Sequence, residues 1–152
     1  MQKGHYYEEF EEGQEFISPA RTVTEADVVF FAGFSGDFNP LHTDEEFSRR
    51  SIFGTRIAHG VIGIAFATGF QSRLGLVDGT GMAFLGINNW RFLRAVKPGD
   101  TVQLVTKVTE KRESRKNPEG GVVIFHLELA NQNKEVVQEG SWAILVKKRK
   151  SC

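Results

Sequence analysis

Residues 60–74, GVIGIAFATGFQSRL, decide the architecture. Val61, Ile62, Ile64, Ala65, Phe66, Ala67, Phe70 and Leu74 fall nearly all the way round a helical wheel. A helix that is apolar on every side in a soluble chain is one surrounded by its own protein. Gly63 and Gly69 weaken that helix intrinsically, but they also let a sheet approach closely. The apolar run from Val61 to Ala67 is interrupted by Gly63 and is far too short to cross a bilayer. The segment therefore predicts a central buried helix, with no membrane partner.

C-terminal to it the period changes from 3.6 to two. In residues 101–111, Val102, Leu104, Thr106 and Val108 share one face; in residues 122–129, Val123, Phe125, Leu127 and Leu129 do. Residues 137–146 put Trp142, Ile144 and Val146 together, and residues 82–93 supply a further strand. Lys97-Pro98-Gly99-Asp100 and Asn131-Gln132-Asn133-Lys134 are turn signals. N-terminal to the helix, residues 14–23 predict an opening strand, and Thr24 followed three positions later by Asp27 predicts a capped helix ending near Gly33 to Gly36. Thr43-Asp44-Glu45-Glu46 would cap another short helix through Arg50. The sum is an α+β chain, an antiparallel sheet of about five strands wrapped around one helix.

The chain has 152 residues, with 19 Lys+Arg against 19 Asp+Glu and 40% hydrophobic residues. That is the make-up of one soluble domain over residues 1–152. A zero balance argues against nucleic acid as the partner, because gripping a phosphate backbone needs surplus positive charge. Residues 146–152 read as a solvated basic tail carrying Lys147, Lys148, Arg149 and Lys150. The single cysteine, Cys152, forms no intramolecular disulfide and suits a reducing cytoplasm. The acidic start MQKGHYYEEFEEG has neither signal-peptide nor transit-peptide character.

Chemistry concentrates between the two halves. The loop GDFNPLH places Asp37, Asn39 and His42 within six positions, between apolar Phe38, Leu41 and Phe47. Asn39-Pro40 holds a turn, because proline disfavours a helical residue before it. A carboxylate and an imidazole across such a turn can contact one water. His59-Gly60 immediately precedes the buried helix, whose first N–H groups are free donors at a positive helix end. An acid/base pair beside an oxyanion donor matches the addition of water across a carbonyl-conjugated double bond, where negative charge develops on that oxygen.

FAGFSGDFNPLHTDEEF followed by RIAHGVIGIAFATG resembles the MaoC-like dehydratases, including the (R)-specific enoyl-CoA hydratases. The signature resemblance runs through Ser35, Gly36, Asp37, Asn39, Pro40, Leu41 and His42. It implies a hot-dog fold, and a reaction in which trans-2-enoyl thioesters are reversibly hydrated to (R)-3-hydroxyacyl thioesters. The carrier would be coenzyme A or acyl carrier protein, and coenzyme A would enter only as part of the substrate, with no separate cofactor. Asp37 and His42 would be the catalytic dyad and Gly60 the backbone donor to the thioester carbonyl. Asn39 and His59 would support the site structurally. Thr68 stands where those hydratases commonly carry a serine on the central helix. Such domains pair edge to edge, so a homodimer or a higher homo-oligomer is implied.

Alternatives remain beside this reading. Hot-dog proteins include thioesterases, and a non-catalytic acyl-CoA or acyl-carrier-protein binding subunit is another. His5 and His126 carry no predicted role, and the histidine spacing contains no metal motif. Phe84, Trp90, Phe92 and Trp142 default to core or interface. Arg49, Arg50, Arg56, Arg91 and Arg94 are cations within reach of phosphate chemistry, but none is singled out.

Overall fold

In the computed structural model, which describes residues 4–149, the elements alternate as the periodicity requires. A 3-10 turn, Tyr7–Glu9, precedes β1 (Glu15–Ile17) and β2 (Arg21–Thr22). Helices α1 (Glu25–Ser35), α2 (Pro40–Thr43), α3 (Glu45–Ser48) and α4 (Gly60–Leu74) follow. Four long strands complete the chain: β3 (Gly81–Phe92), β4 (Thr101–Glu113), β5 (Gly120–Ala130) and β6 (Val136–Lys147).

The strands form one six-stranded antiparallel sheet in the order β1-β4-β5-β6-β3, with β2 also pairing β4. Its inner face carries Val102, Leu104, Thr106 and Val108 of β4, Val123, Phe125, Leu127 and Leu129 of β5, and Trp142, Ile144 and Val146 of β6, all buried. Ile62, Ala67 and Phe70 of α4 belong to the same core. Burying a side chain of this size contributes roughly 1.5–3 kcal/mol, so the helix is held chiefly by the sheet beneath it rather than by its own propensity.

The expected opening strand is split, which raises the strand count from five to six. Ile17 pairs with Val105 and Arg21 with Val102, so three residues, Ser18, Pro19 and Ala20, stand opposite two. Pro19 has no N–H to give the ladder. Buried Ser18 spans the break, its N–H donating to the Leu104 carbonyl at 2.9 Å and its hydroxyl accepting from the Leu104 N–H at 3.0 Å.

Helix α4 is enclosed on one side only. Ile62, Gly63, Ala67, Phe70 and Gln71 are buried, whereas Val61 is 53% exposed. One sheet has one concave face, so among the described residues Val61 is left uncovered on the far side of the wheel, while Phe66 and Leu74 are partly buried against the core. Strand β3 is likewise an edge, paired only with β6, with Phe84, Leu85, Ile87 and Phe92 exposed.

The described part of the basic tail is anchored. Val146 and Lys147 belong to β6, Lys148 pairs with Glu113, and Arg149 reaches Glu9 at 2.5 Å. Residues 150–152, including Cys152, lie outside the described residues. Among the described residues no helix is long and apolar enough to cross a membrane.

Candidate active site

The loop after α1 is built by short-range hydrogen bonds that its sequence prescribes. Thr24 caps α1, accepting from the Asp27 N–H, while the Asp27 carboxylate answers on Thr24 and takes Arg21 at 2.6 Å. Gly36 ends the helix in the left-handed region at φ 77°, where glycine carries no Cβ penalty. Asp37 Oδ1 then accepts from the Asn39 N–H at 3.2 Å, and Asn39 Oδ1 from the Leu41 N–H at 3.0 Å. Asn39 thus caps α2 with Pro40 in the first turn, the position where a missing N–H costs nothing. It braces the loop, as the sequence suggests. The buried Ser48 hydroxyl ties α2 to α3 through the carbonyls of Pro40 and Leu41 at 3.1 and 3.2 Å.

His42 rides on α2, and its Nδ1 lies 2.8 Å from the carbonyl of Ile57. A carbonyl only accepts, so Nδ1 carries the proton and Nε2 is left with a lone pair. His59, just before α4, places Nε2 2.8 Å from the backbone carbonyl of Asp37, which fixes the opposite tautomer. It is 3% exposed, its ring centroid is 3.8 Å from that of His42, and that of Phe31 lies 4.9 Å away. A carboxylate oxygen of Asp37 and one ring nitrogen each of His42 and His59 lie within 4.8 Å of one another. One water about 2.8 Å from each of two atoms so separated subtends an angle under about 120°. One water can therefore contact two of these atoms at once.

The segment leading into His59 is tied down by charge. Glu45 accepts from the Arg56 backbone N–H and the Thr55 hydroxyl, and these hydrogen bonds hold its carboxyl below the usual carboxylate range. Arg56 also reaches Glu25 of α1 at 2.6 Å, a contact that raises its own pKa further.

Gly60 opens α4, and its N–H and that of Val61 have no carbonyl within the helix to bond. A Cβ added at Gly60 would lie 2.9 Å from the Phe92 ring, and one at Gly63 would lie 2.3 Å from the Gln138 amide. Gln138, 3% exposed, accepts from the Trp90 indole at 3.1 Å and donates to the Gly60 carbonyl at 3.0 Å. This brace sets the peptide plane at the helix start and is absent from the sequence reading. Its signal was present, because stepping back by twos from Val146, Ile144 and Trp142 lands on a glutamine in an apolar register.

The structure thus brings Asp37, His42 and His59 together beside Gly60. It does not bring Thr68 to them within this chain: that residue sits eight positions along α4, about 12 Å of helix rise, and its hydroxyl donates to the Ala65 carbonyl at 2.7 Å. Asp37, Phe34 and Phe38 are exposed, so the loop's apolar flanks do not enclose it in the single chain. Four of the five arginines are committed to carboxylates. Arg50 makes no ion pair among the described residues.

Residues 9–128 match the MaoC like domain family. The chain is 41% identical over 112 residues to Protein MaoC of Klebsiella aerogenes, covering 74% of this chain and 32% of that protein. It is 38% identical over 106 residues to the (R)-specific enoyl-CoA hydratase of Rhodospirillum rubrum, covering 69% and 70% respectively. The crystal structure of a monoamine oxidase regulatory protein from Archaeoglobus fulgidus superposes with a TM-score of 0.91 at 36% identity, over 98% of each chain. In fold alone, a double-hotdog protein of Mycobacterium tuberculosis matches with a TM-score of 0.86 at 19% identity, over 98% of this chain and 46% of that one.

Proposed function

This chain belongs to the MaoC-like domain family, and from that premise we propose that it reversibly hydrates trans-2-enoyl thioesters, most simply acyl-CoA, to (R)-3-hydroxyacyl thioesters. The observation that carries the reading is the Asp37, His42 and His59 cluster at the open start of α4, with the His42 Nε2 lone pair left available. In hydration, Nε2 takes a proton from a water held between His42 and Asp37. The hydroxide equivalent adds to Cβ of the enoyl group, and charge moves onto the thioester oxygen, where the Gly60 N–H and the positive end of α4 stabilise it. The proton taken from water passes from His42 to Asp37, which delivers it to Cα, so the dyad ends as it began.

A homodimer is part of the proposal. The unpaired edge of β3 carries Phe84, Leu85, Ile87 and Phe92, all exposed and apolar. An edge of that kind is a template for pairing, and a second copy would cover it. Light scattering showing only monomer at working concentration would count against that part.

Turnover of crotonyl-CoA and longer enoyl-CoAs, followed at the absorbance of the conjugated thioester, tests the reaction. Loss of that absorbance without release of free thiol is expected, and thiol release instead would mark a thioesterase. Activity surviving in both Asp37→Asn and His42→Ala would end the mechanism.

A further inference from the structure

The outer face of the sheet, opposite α4, carries a second group of ligating side chains. His126 and Glu128 are two apart on β5 and so share a face. Glu139 of β6 stands directly across from Glu128. One ligand atom from each of the three lies within 4.8 Å of the others. Beside them opens a cleft of about 480 Å³ lined by Asn89, Arg91, His126, Glu139, Gly140 and Ser141.

This arrangement is costly without a cation. Like charges directly opposite on neighbouring strands destabilise a sheet, and Glu128 and Glu139 are such a pair. Arg91 of β3 stands across from Glu139 on its other flank and is paired with it. It reaches that carboxylate from the edge strand, just past an irregular stretch where Asn89 has φ 51°. Among the described residues Glu128 has only His126, at 3.4 Å between Nε2 and Oε1. Lys107 of β4 stands across from His126 but pairs with Glu15 at 3.2 Å. Counting Glu128, Glu139 and Arg91, the group carries one net negative charge.

We propose that His126, Glu128 and Glu139 form a binding site for a borderline divalent transition-metal ion, zinc above all, with Arg91 as a competing internal cation on Glu139. Bond lengths of about 2.0–2.2 Å from zinc to imidazole nitrogen and carboxylate oxygen put neighbouring tetrahedral ligands about 3.4 Å apart. The His126 to Glu128 separation already has that value. Glu139 completes the set by a side-chain rotation, and water takes the fourth position. One imidazole with two carboxylates suits zinc, cobalt or manganese better than magnesium or calcium, which prefer all-oxygen shells. The side chains of His126 and Glu128 are 38% and 43% exposed, which gives the ion a path in. The site stands apart from the Asp37 cluster: Gln138 points inward to Gly60, so its neighbour Glu139 points through the opposite face. A bound ion would tie β5 to β6 next to the edge strand.

Zinc titration of the metal-free protein by calorimetry tests this, using a Cys152→Ser, His42→Ala background to remove the thiol and the other histidine cluster. One equivalent of zinc is expected to bind and to raise the melting temperature. Cobalt(II) at the same site is expected to show the visible bands of a four- or five-coordinate ion. His126→Ala and Glu128→Gln, each checked for folding by circular dichroism, should weaken binding by at least about tenfold, the least that losing even an outer partner of a metal ligand costs. Arg91→Ala should tighten it by freeing Glu139. Absence of zinc binding overturns the proposal, and so does zinc binding that is unchanged in both His126→Ala and Glu128→Gln.

Discussion

Two glycines on one helix should respond oppositely to the same substitution. Gly63 and Gly69 both lie inside α4, and alanine at either removes a helix penalty of about 1 kcal/mol. A Cβ at Gly69 meets nothing within 4 Å, whereas one at Gly63 lands 2.3 Å from both polar atoms of the Gln138 amide. That amide has nowhere inexpensive to go, since Gln138 is 3% exposed and holds both the Trp90 indole and the Gly60 carbonyl. Displacing it forfeits two hydrogen bonds, about 1–3 kcal/mol together, and overpacks the site at roughly 1–3 kcal/mol more. Set against the helix gain of about 1 kcal/mol, Gly63→Ala should destabilise by about 3 kcal/mol, and Gly69→Ala should stabilise by up to about 1 kcal/mol.

For a domain of this size each kcal/mol moves the melting temperature by about 2–4 °C. Thermal melts at one fixed protein concentration should therefore show Gly63→Ala about 6–12 °C below the parent and Gly69→Ala a few degrees above it. The concentration is fixed because self-association would make the midpoint depend on it. Under the proposed reaction, Gly63→Ala should also slow turnover, since the peptide at the helix start loses its brace. A Gly63→Ala protein as stable as Gly69→Ala would refute the reasoning that Gln138 is pinned.

Asp37→Asn and His42→Ala should each lower enoyl-CoA hydration by about 10²–10⁴-fold, the usual worth of a general acid or base. The double variant should be little worse than either, because groups acting on one water are not additive; multiplicative losses would show that they act separately. Ser48→Ala removes a buried hydroxyl bonded to two carbonyls, and should cost about 1 kcal/mol, read as a melting temperature about 2–4 °C lower. Hydrogen bonds hold Glu45 below its ordinary 4.5, led by the Arg56 N–H. At Asp27 burial pushes the carboxyl up, but the Thr24 and Arg21 contacts prevail and hold it below 3.8. A depressed folded pKa contributes stability that is present above the unfolded value and lost as pH falls through the folded one. Melting temperatures should therefore hold down to about pH 4.5 and then fall, less steeply in Glu45→Gln; an unchanged slope in that variant would remove Glu45 from the account.

What the sequence made legible was local. Residues 60–74 are helical to the residue, Thr24 and Asp27 form the expected cap, and the inward faces of β4, β5 and β6 are the ones that alternation selected. The GDFNPLH loop was legible for the same reason, since Asp37 and Asn39 bond to N–H groups two positions on. Features that depend on register across the sheet were not. Glu128 meets Glu139 eleven positions away only because β5 and β6 pair with one particular offset, and Gln138 finds Gly60 across 78 positions. The helical wheel of α4 reported apolar character on every side, but a wheel does not record which side the sheet takes. Val61 on that helix, like Phe34 and Phe38 in the loop before it, is apolar surface that the described residues do not bury.

Helix starts show where stability has been given up. Thr24, Asn39 and Asp44 each accept a backbone N–H and cap α1, α2 and α3. The longest helix, α4, begins at His59 with no side-chain cap, an omission that typically costs about 1 kcal/mol. His59 is chemically able to cap, since its Nδ1 carries a lone pair, yet that atom is buried without a partner. The ring turns away and spends its N–H on the Asp37 carbonyl instead. One side chain therefore performs two tasks at the expense of a third: it fastens the Asp37 loop to the helix and leaves the first N–H groups of α4 uncovered. In the proposed hydration the Gly60 N–H meets the charge developing on the thioester oxygen, and a side-chain cap on the next N–H groups would offset the positive helix end that supports it.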